Sequence, residues 1–142
     1  MSTETNKAII ARMIEQVWNE GRTDLVEEFF TEDCVQHIVG MPQALGLDAL
    51  KQNTAMGLTA WADFHLGLDE AVAEGDMVAA RWTTTGKHVG DLLGIPATGK
   101  QVSQCGTTFY RLENGRIAEI WFLADMLGLM QQLGVIPTAE AI

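Results

Sequence analysis

The chain has 142 residues, of which 47% are hydrophobic and 20% charged, and this suits one compact domain with its own core. It carries 19 Asp and Glu against 9 Lys and Arg, which gives a formal net charge of −10. This acidic balance argues against binding nucleic acid through its phosphates and against adhesion to an anionic membrane surface.

The N-terminal part is predicted to be mainly helical. Residues 3–20 form an amphipathic helix, because apolar residues recur at the spacing of one buried stripe: Ile10, Met13, Ile14, Val17 and Trp18. A second short helix follows at 24–30, and CVQHIV at 34–39 is typical of a short strand. A turn-rich segment at 40–46 then leads into a third helix at about 47–59.

The rest of the chain changes to the period of two that is typical of strands. Phe64, Leu66 and Leu68 alternate with small or polar residues. The further predicted elements are, in order, a turn at 74–76, a strand at 77–88, a long loop at 90–100, strands at 101–112 and 116–124, a helix at 126–134 and a loose tail at 135–142. Helices segregated from an antiparallel sheet predict an α+β domain, in which three helices lie over a curved sheet and enclose a pocket.

Four motifs in the second half resemble one known family: RWTTTGKHVG at 81–90, PATGK at 96–100, NGRIAEIW at 114–121 and DMLGLMQQLG at 125–134. They are similar to motifs of the SnoaL-like polyketide cyclases, which belong to the NTF2-like superfamily of cone-shaped α+β barrels. The resemblance runs from the first helix to Gly134 and implies a single SnoaL-like domain over residues 1–142. It also implies a hydrophobic small-molecule substrate and a homodimer formed through the outer face of the sheet.

The activity that the resemblance implies is cofactor-independent closure of a polyketide-like ester, or a related hydrophobic carbonyl compound, by intramolecular aldol condensation. The alternatives are an isomerase, an epoxide hydrolase or a non-catalytic binding domain on the same fold. An epoxide hydrolase would use Arg81 and Asp125, but Thr83 stands where a second acid is expected. A ketosteroid-type isomerase would need a tyrosine in the cavity, and Tyr110 is predicted to lie beside the hairpin turn instead.

Asp125 interrupts the apolar run IWFLADMLGLM at 120–130, where a carboxylate is costly to bury. In the family that the chain resembles, the aspartate at this point is the catalytic acid/base, and Asp125 matches it. A carboxyl group in an apolar cavity has a raised pKa, which lets it take and return a proton near neutral pH. The alternative is that Asp125 caps the following helix through the free N–H groups of Leu127 and Gly128.

Strand alternation extends the predicted site from Asp125 to its neighbours. If Asp125 faces the cavity, Trp121 and Leu123 line it too. On the strand at 77–88, Arg81 and Thr83 are assigned to the site. The other face of the sheet also carries large apolar residues and is predicted to pack against a second subunit: Trp82, Ile120 and Phe122.

Further residues complete the predicted site. The resemblance implies that His37 points at the ligand and stabilises the developing enolate, with a histidine satisfied by the backbone as the alternative. Gln104 is predicted to bond a ligand oxygen, whereas His88 makes either a substrate contact or a structural hydrogen bond. Arg81 either anchors an acidic or carbonyl substrate or pairs with Glu119. Three apolar side chains are predicted at the core or entrance, where a polycyclic ligand would stack on them: Trp18, Trp61 and Met56.

No cofactor is expected, because His, Asp and Glu occur nowhere at metal-ligand spacing and GIPATGK lacks the pattern of a phosphate-binding loop. Cys34 and Cys105 belong to no C-x-x-C pair and are expected to be free, buried thiols. The N-terminus lacks the features of a signal peptide, and no apolar run approaches the ~20 residues that span a bilayer. A cytoplasmic location is therefore expected.

Overall fold

One five-stranded sheet organises the computed structural model, which describes residues 2–137. The strands are β1 (Phe30–Ile38), β2 (Trp61–Glu74), β3 (Met77–His88), β4 (Gln101–Glu113) and β5 (Arg116–Ala124). Within the described residues, the α-helices are α1 (Thr3–Met13), α2 (Val26–Phe29), α3 (Leu47–Thr59) and α4 (Met126–Leu133). The sheet is curved and does not close on itself. Together with the helices, this curved sheet confirms the predicted α+β fold.

The first helix has the predicted length but changes its geometry near its end. Its start is capped by the Ser2 hydroxyl, which accepts a hydrogen bond from the Thr5 N–H at 3.1 Å. After α1 the chain continues as a π-helix over Ile14–Asn19. The predicted apolar stripe is buried, with Ile10, Met13 and Val17 at most 1% exposed. Burial of this stripe against the sheet holds the helix in place.

The remaining elements follow the predicted order with shifted boundaries. A 3₁₀ turn at Thr23–Leu25 precedes α2, and β1 begins at Phe30, four residues before the predicted strand. The second strand begins at Trp61, before the first alternating residue that predicted it. Residues 135–137 of the predicted loose tail form neither helix nor strand, and 138–142 lie outside the described residues.

The sheet is mixed, whereas an antiparallel sheet was predicted. The antiparallel meander β2–β3–β4–β5 is present, but β1 pairs with β5 in parallel, in the order β1-β5-β4-β3-β2. The physical reason is the connection: α3 carries the chain from β1 at one edge to β2 at the other, so β5 arrives beside β1 running in the same direction. Strand periodicity carries no signal for this pairing.

Two side-chain amides form hydrogen bonds with backbone groups that the sheet leaves unpaired. The Asn19 amide, in the π-helix, donates to the Leu66 carbonyl at 2.9 Å and accepts from the Leu66 N–H at 2.7 Å on the edge strand β2. The Gln132 amide on α4 donates to the Ser103 carbonyl at 2.7 Å and accepts from the Ser103 N–H at 2.8 Å, where β4 extends beyond the end of β5. Both contacts satisfy strand groups that would otherwise need water or another chain.

Gly106 on β4 makes room for the indole side chain of Trp82 on the concave face. A Cβ atom at this position would overlap the indole ring of Trp82 and approach the Leu123 carbonyl oxygen at 2.7 Å. Trp82 can therefore lie flat against β4, where its ring stacks on Phe122 at 5.5 Å between centroids. None of the helices in the described part of the chain has the length and apolar character required to cross a bilayer.

Gly106→Ala is expected to destabilise the fold by about 1–3 kcal/mol, because the added methyl forces Trp82 or the backbone to shift. Gly57→Ala on α3 is the matched control: its Cβ meets nothing within 4 Å, and alanine favours a helix by roughly 0.5–1 kcal/mol. Denaturant unfolding measures both free energies. Equal effects of the two substitutions would contradict the packing described for Trp82.

Candidate functional site

The helices and the concave face of the sheet enclose a cavity of about 270 Å³. Part of its lining consists of buried apolar side chains, among them Met13, Val17 and Phe30. Asn53 and Gly57 of α3 are more exposed, as are aromatic and amide side chains of the sheet that also line it. The cavity thus combines apolar walls with a few polar groups, as small-molecule sites commonly do.

The polar groups that line the cavity are all neutral amides, hydroxyls or indoles. They are Gln36, Asn53, Thr54, Thr84, Gln104, Thr108, Tyr110 and the tryptophans Trp18, Trp61 and Trp82. Within residues 2–137, the lining includes no Asp, Glu, His, Lys or Arg side chain. The cavity is therefore suited to an uncharged ligand, since an ionised group would lose hydration there without gaining a counter-charge.

Two residues on the inward face of β4 contribute hydroxyl groups to this wall. Thr108 is 2% exposed, and its hydroxyl oxygen accepts a hydrogen bond from the Trp82 indole N–H at 2.9 Å. Tyr110 is also buried, and burial raises the pKa of its phenol to about 12, although a hydrogen bond with the Thr108 hydroxyl acts in the other direction. The Tyr110 hydroxyl therefore stays protonated over the physiological range and is able to donate a hydrogen bond.

The predicted inward face of β5 is wrong. Ile120 and Phe122 line the cavity, while Trp121 and Leu123 lie on the opposite face, 38% and 51% exposed. The prediction took its parity from Asp125, but β5 ends at Ala124 and the chain then leaves the strand geometry. The face predicted to meet a second subunit is the face that lines the cavity.

The same inversion applies to β3, where Trp82 and Thr84 line the cavity in place of Arg81 and Thr83. Both faces of this strand carry bulky groups, so alternation alone could not identify the inner one.

The two outward residues of β3 have partners on β2. Arg81 lies 3.9 Å from the Glu70 carboxylate, so the predicted ion pair with Glu119 is wrong. The Thr83 hydroxyl donates to Asp69 at 2.6 Å. Neither side chain is among those that line the cavity, and neither is placed to contact a ligand there.

Asp125 lies at the N-terminus of α4, where its carboxylate oxygen Oδ1 accepts the Gly128 N–H at 2.9 Å. The residue is exposed and is not among the cavity-lining residues. The structure thus shows the helix cap, the alternative to a cavity-facing acid. Its main chain does lie next to the cavity wall, because the Gln104 amide donates to the Asp125 carbonyl at 3.3 Å.

His37 lies on the outer face of the sheet, and the prediction that it points at the ligand is wrong in this geometry. Its neighbours Gln36 and Ile38 line the cavity, whereas His37 pairs in register with Trp121 and stacks on it at 5.5 Å. The His37 ring nitrogen Nε2 and the Glu119 carboxylate are 2.7 Å apart.

This outer-face pair belongs to a small charged network. The hydrogen bond with His37, and then the bond from the Arg111 guanidinium at 3.2 Å, hold the pKa of the Glu119 carboxyl below its usual range. Arg111 also bonds Glu113 at 2.6 Å. The network accounts for His37 without a ligand.

His88 is fully buried and anchors the loop at 89–100. Its ring nitrogen Nδ1 accepts the Thr98 N–H at 3.2 Å, and its main chain bonds Gly99 and Lys100 at 2.8 and 2.9 Å. His88 does not line the cavity, although Trp61 lies between them at a ring distance of 5.5 Å. The geometry is that of the structural hydrogen bond, the second of the two predicted roles.

Three of the predicted ligand contacts do line the cavity: Gln104, Trp18 and Trp61. Met56 does not, because it points away from the cavity on α3 and is 68% exposed. Trp18 is brought to the wall by the π-helix and packs against Phe64 at 6.0 Å.

Sequence reasoning missed Gln36 and Thr84, and the prediction that Tyr110 lies beside the hairpin turn, outside the cavity, is wrong, because Tyr110 lines the cavity. A signal for Tyr110 was present, because it shares its strand parity with Gln104, which was predicted to face the ligand. Gln36 and Thr84 were missed because the inner faces of β1 and β3 were inverted.

The cysteines and the metal-ligand side chains offer no second site. Cys34 is buried, and burial raises the pKa of its thiol, but Cys105 is exposed, which corrects the prediction of two buried thiols. In the described part of the chain, no three His, Cys, Asp or Glu side chains lie together as a candidate ligand set.

Comparison with known proteins identifies a matching family model, related sequences and similar solved structures. A family model described as SnoaL-like polyketide cyclase matches residues 8–133. The aklanonic acid methyl ester cyclase DnrD of Streptomyces peucetius is 31% identical over 140 residues, covering 94% of this chain and 92% of that protein. A second aklanonic acid methyl ester cyclase, DauD of Streptomyces sp. strain C5, is 30% identical over 129 residues, covering 89% of this chain and 80% of that protein.

Among solved structures, AclR of Streptomyces galilaeus superposes with a TM-score of 0.88 at 27% identity, covering 97% of this chain and 86% of AclR. TsrD of Streptomyces laurentii superposes with a TM-score of 0.85 at 26% identity, covering 96% of this chain and 99% of TsrD.

The helix cap at Asp125 leads to a stability prediction. Asp125→Ala is expected to lower the free energy of unfolding by about 1 kcal/mol, because the Gly128 N–H loses its acceptor. Asp125→Asn should keep most of this stability, since asparagine caps about as well as aspartate. Asp33→Ala, at an exposed strand position, serves as the control in denaturant unfolding. Equal losses for the Asn and Ala variants would contradict the cap.

Proposed function

The chain belongs to the SnoaL-like polyketide cyclase family, and we propose that it closes a ring in an uncharged, hydrophobic polyketide-type ester by cofactor-independent aldol chemistry. The observation that carries this proposal is the character of the cavity, with aromatic and aliphatic walls interrupted only by neutral hydrogen-bonding groups. Such a wall accommodates a neutral polycyclic carbonyl compound and disfavours a free carboxylate. The two relatives named aklanonic acid methyl ester cyclases support an ester as the substrate class.

The proposed chemistry needs stabilisation of an enolate. A base removes a proton from the carbon next to one substrate carbonyl, the resulting enolate carbon forms a C–C bond to a second carbonyl carbon, and the oxygen of that second carbonyl takes a proton. Negative charge develops on carbonyl oxygens in a largely apolar site, where a fixed donor is most effective. Tyr110 is the donor best suited to this role, because it lines the cavity and burial keeps its hydroxyl protonated.

Proton transfer by Asp125 is a second candidate element of this mechanism. Its favourable feature is position, since its carbonyl bonds Gln104 at the cavity wall. Its carboxylate would have to leave the Gly128 N–H to reach a ligand. Asp125→Asn preserves the cap but cannot carry the proton, so a loss of about 10²–10⁴ in turnover without loss of stability would assign the role to Asp125.

A binding protein without turnover is the competing function, and the absence of a charged side chain from the described cavity wall favours it. An epoxide hydrolase finds no support, because Arg81 and Asp125 are both outside the lining.

The direct test incubates the purified chain with aklanonic acid methyl ester, the compound in the relatives' names, and follows ring closure by chromatography and mass spectrometry. Turnover is expected, and Tyr110→Phe should lower kcat about 10²-fold with little change in KM, because only the transition-state donor is lost. Thr107→Val removes a hydroxyl from the outer face of the same strand and is the matched control. Tight binding of the ester without product would favour the binding protein instead.

We also propose that the chain forms a homodimer through the outer face of the sheet. Val72, Phe109 and Leu123 are 61%, 50% and 51% exposed, and Trp121 is 38% exposed. Pairing of Ala79 with Val72 and Phe109, and of Phe109 with Trp121, makes these side chains neighbours across four strands. An exposed apolar row of this kind on a sheet face is typical of an interface.

Light scattering after gel filtration should therefore give twice the chain mass of 15.5 kDa. Phe109→Lys is expected to shift the protein towards monomer, because it places a charge in the apolar row. Met56→Lys, on the exposed side of α3, should leave the mass unchanged. A monomeric wild-type protein would contradict the dimer.

A further inference from the structure

A β-bulge interrupts the edge strand β2 where this strand lines the cavity. Ala62 pairs with Lys87 and His65 pairs with Thr85, so two residues of β2 lie opposite a single residue of β3. The first of these two, Asp63, has a φ of 53°, in the left-handed region that few residues other than glycine, asparagine and aspartate adopt. This combination is typical of the bulge type that usually carries glycine at its first position.

The bulge decides which side chains of β2 reach the cavity. Trp61 and Phe64 are three residues apart, so on a regular strand they would point to opposite faces of the sheet. Both line the cavity, because the extra residue of the bulge lies between them. Leu66 lines it as well. A regular strand that kept Phe64 and Leu66 inward would therefore turn Trp61 outward.

Phe64 is also held by contacts that do not depend on the bulge. Its ring lies 6.0 Å from that of Trp18, which the π-helix brings to the same wall. The Asn19 amide of the π-helix makes two hydrogen bonds with Leu66, two residues further along β2. Trp61 lies on the other side of the bulge, at the start of the strand. The bulge therefore matters most for Trp61.

We propose that Asp63 is a positioning residue whose left-handed conformation holds the bulge and so turns Trp61 into the cavity beside Phe64, where the two rings select a flat aromatic ligand over a saturated one. Asp63 is exposed and is not among the lining residues, so it acts through the backbone. Bulges often redirect a side chain next to a functional site. Aromatic rings attract a planar π-system beyond the effect of the area they bury. The inference rests on the proposed function only in taking this cavity as the substrate site.

Substitutions at Asp63 separate its backbone conformation from its carboxylate. Asp63→Gly keeps the left-handed conformation accessible without any side chain, so the bulge and the ligand preference should be preserved. Asp63→Val places a β-branched residue where a positive φ is least tolerated, so the bulge should shift. Asn114→Val imposes a similar backbone penalty at a φ of 49° in the turn between β4 and β5, away from the cavity lining, and is the matched control.

The position of the Trp61 ring is read directly from its indole N–H signal in ¹⁵N-correlated NMR, which Trp61→Leu assigns. Asp63→Val should move this signal much more than the signal of Trp82, whose indole N–H is bonded to Thr108. Asn114→Val should move neither. An unchanged Trp61 signal in Asp63→Val would overturn the inference.

Ligand preference is the second readout, and a merely structural bulge would not change it. Isothermal titration calorimetry compares methyl 2-naphthoate with its fully saturated analogue, methyl decahydronaphthalene-2-carboxylate. The ratio of their Kd values, saturated over aromatic, is compared among variants, because the difference in hydrophobicity between the probes then cancels. The ratio should fall about 3–10-fold in Asp63→Val and in Trp61→Leu. It should fall no further in the double variant, because Asp63 acts through Trp61.

An unchanged ratio in Asp63→Val, an equal fall in Asp63→Gly or Asn114→Val, or failure of methyl 2-naphthoate to bind the wild-type protein would each overturn the inference. If Asp63→Val does not fold, Asp63→Ala replaces it with the same expected outcomes, since alanine lacks the β-branch. The proposed function is judged separately, by ring closure. Turnover of the ester with an unchanged ratio would refute the role of Asp63 and leave the cyclase standing. A fall in the ratio without turnover would support Asp63 in a binding protein.

Discussion

The site depends on how Trp82 lies against the inner face of the sheet. It can lie there because Gly106, its partner on β4, has no side chain in the way. In this position the indole ring stacks on Phe122, and its N–H is bonded by Thr108. One glycine therefore fixes a wall of the cavity, and the Thr108 oxygen is already occupied before any ligand enters.

The fold could be predicted from the sequence, but the inner face of the sheet could not. Helix periodicity and strand alternation report local geometry, and the elements were found within a few residues. Parity on β5 depends instead on which side the helices cover, and Trp121 and Phe122 are equally plausible as inner residues. Asp125 was used to break this tie, but it caps α4 and is no longer part of the strand.

The parallel pairing of β1 was not predicted for the same reason, since it is not a local property of the sequence. It is decided by α3 crossing the sheet, a long-range event that strand propensity does not encode. Gln104, Trp18 and Trp61 were placed correctly because their positions do not depend on that parity or on the β1 pairing. Only the tertiary arrangement identifies Gln36 and Thr84 as lining residues and shows that the polar groups of the cavity wall are neutral.

The central claim is that an uncharged aromatic carbonyl compound binds inside this neutral cavity. Amide chemical-shift mapping by ¹⁵N-correlated NMR, during titration with a neutral aromatic ester such as methyl 2-naphthoate, tests it most directly. The account predicts shifts concentrated at Gln36, Thr84 and Tyr110, with little change at Thr107 and Trp121 on the outer face. Shifts confined to the outer face, or to α4 around Asp125, would contradict it.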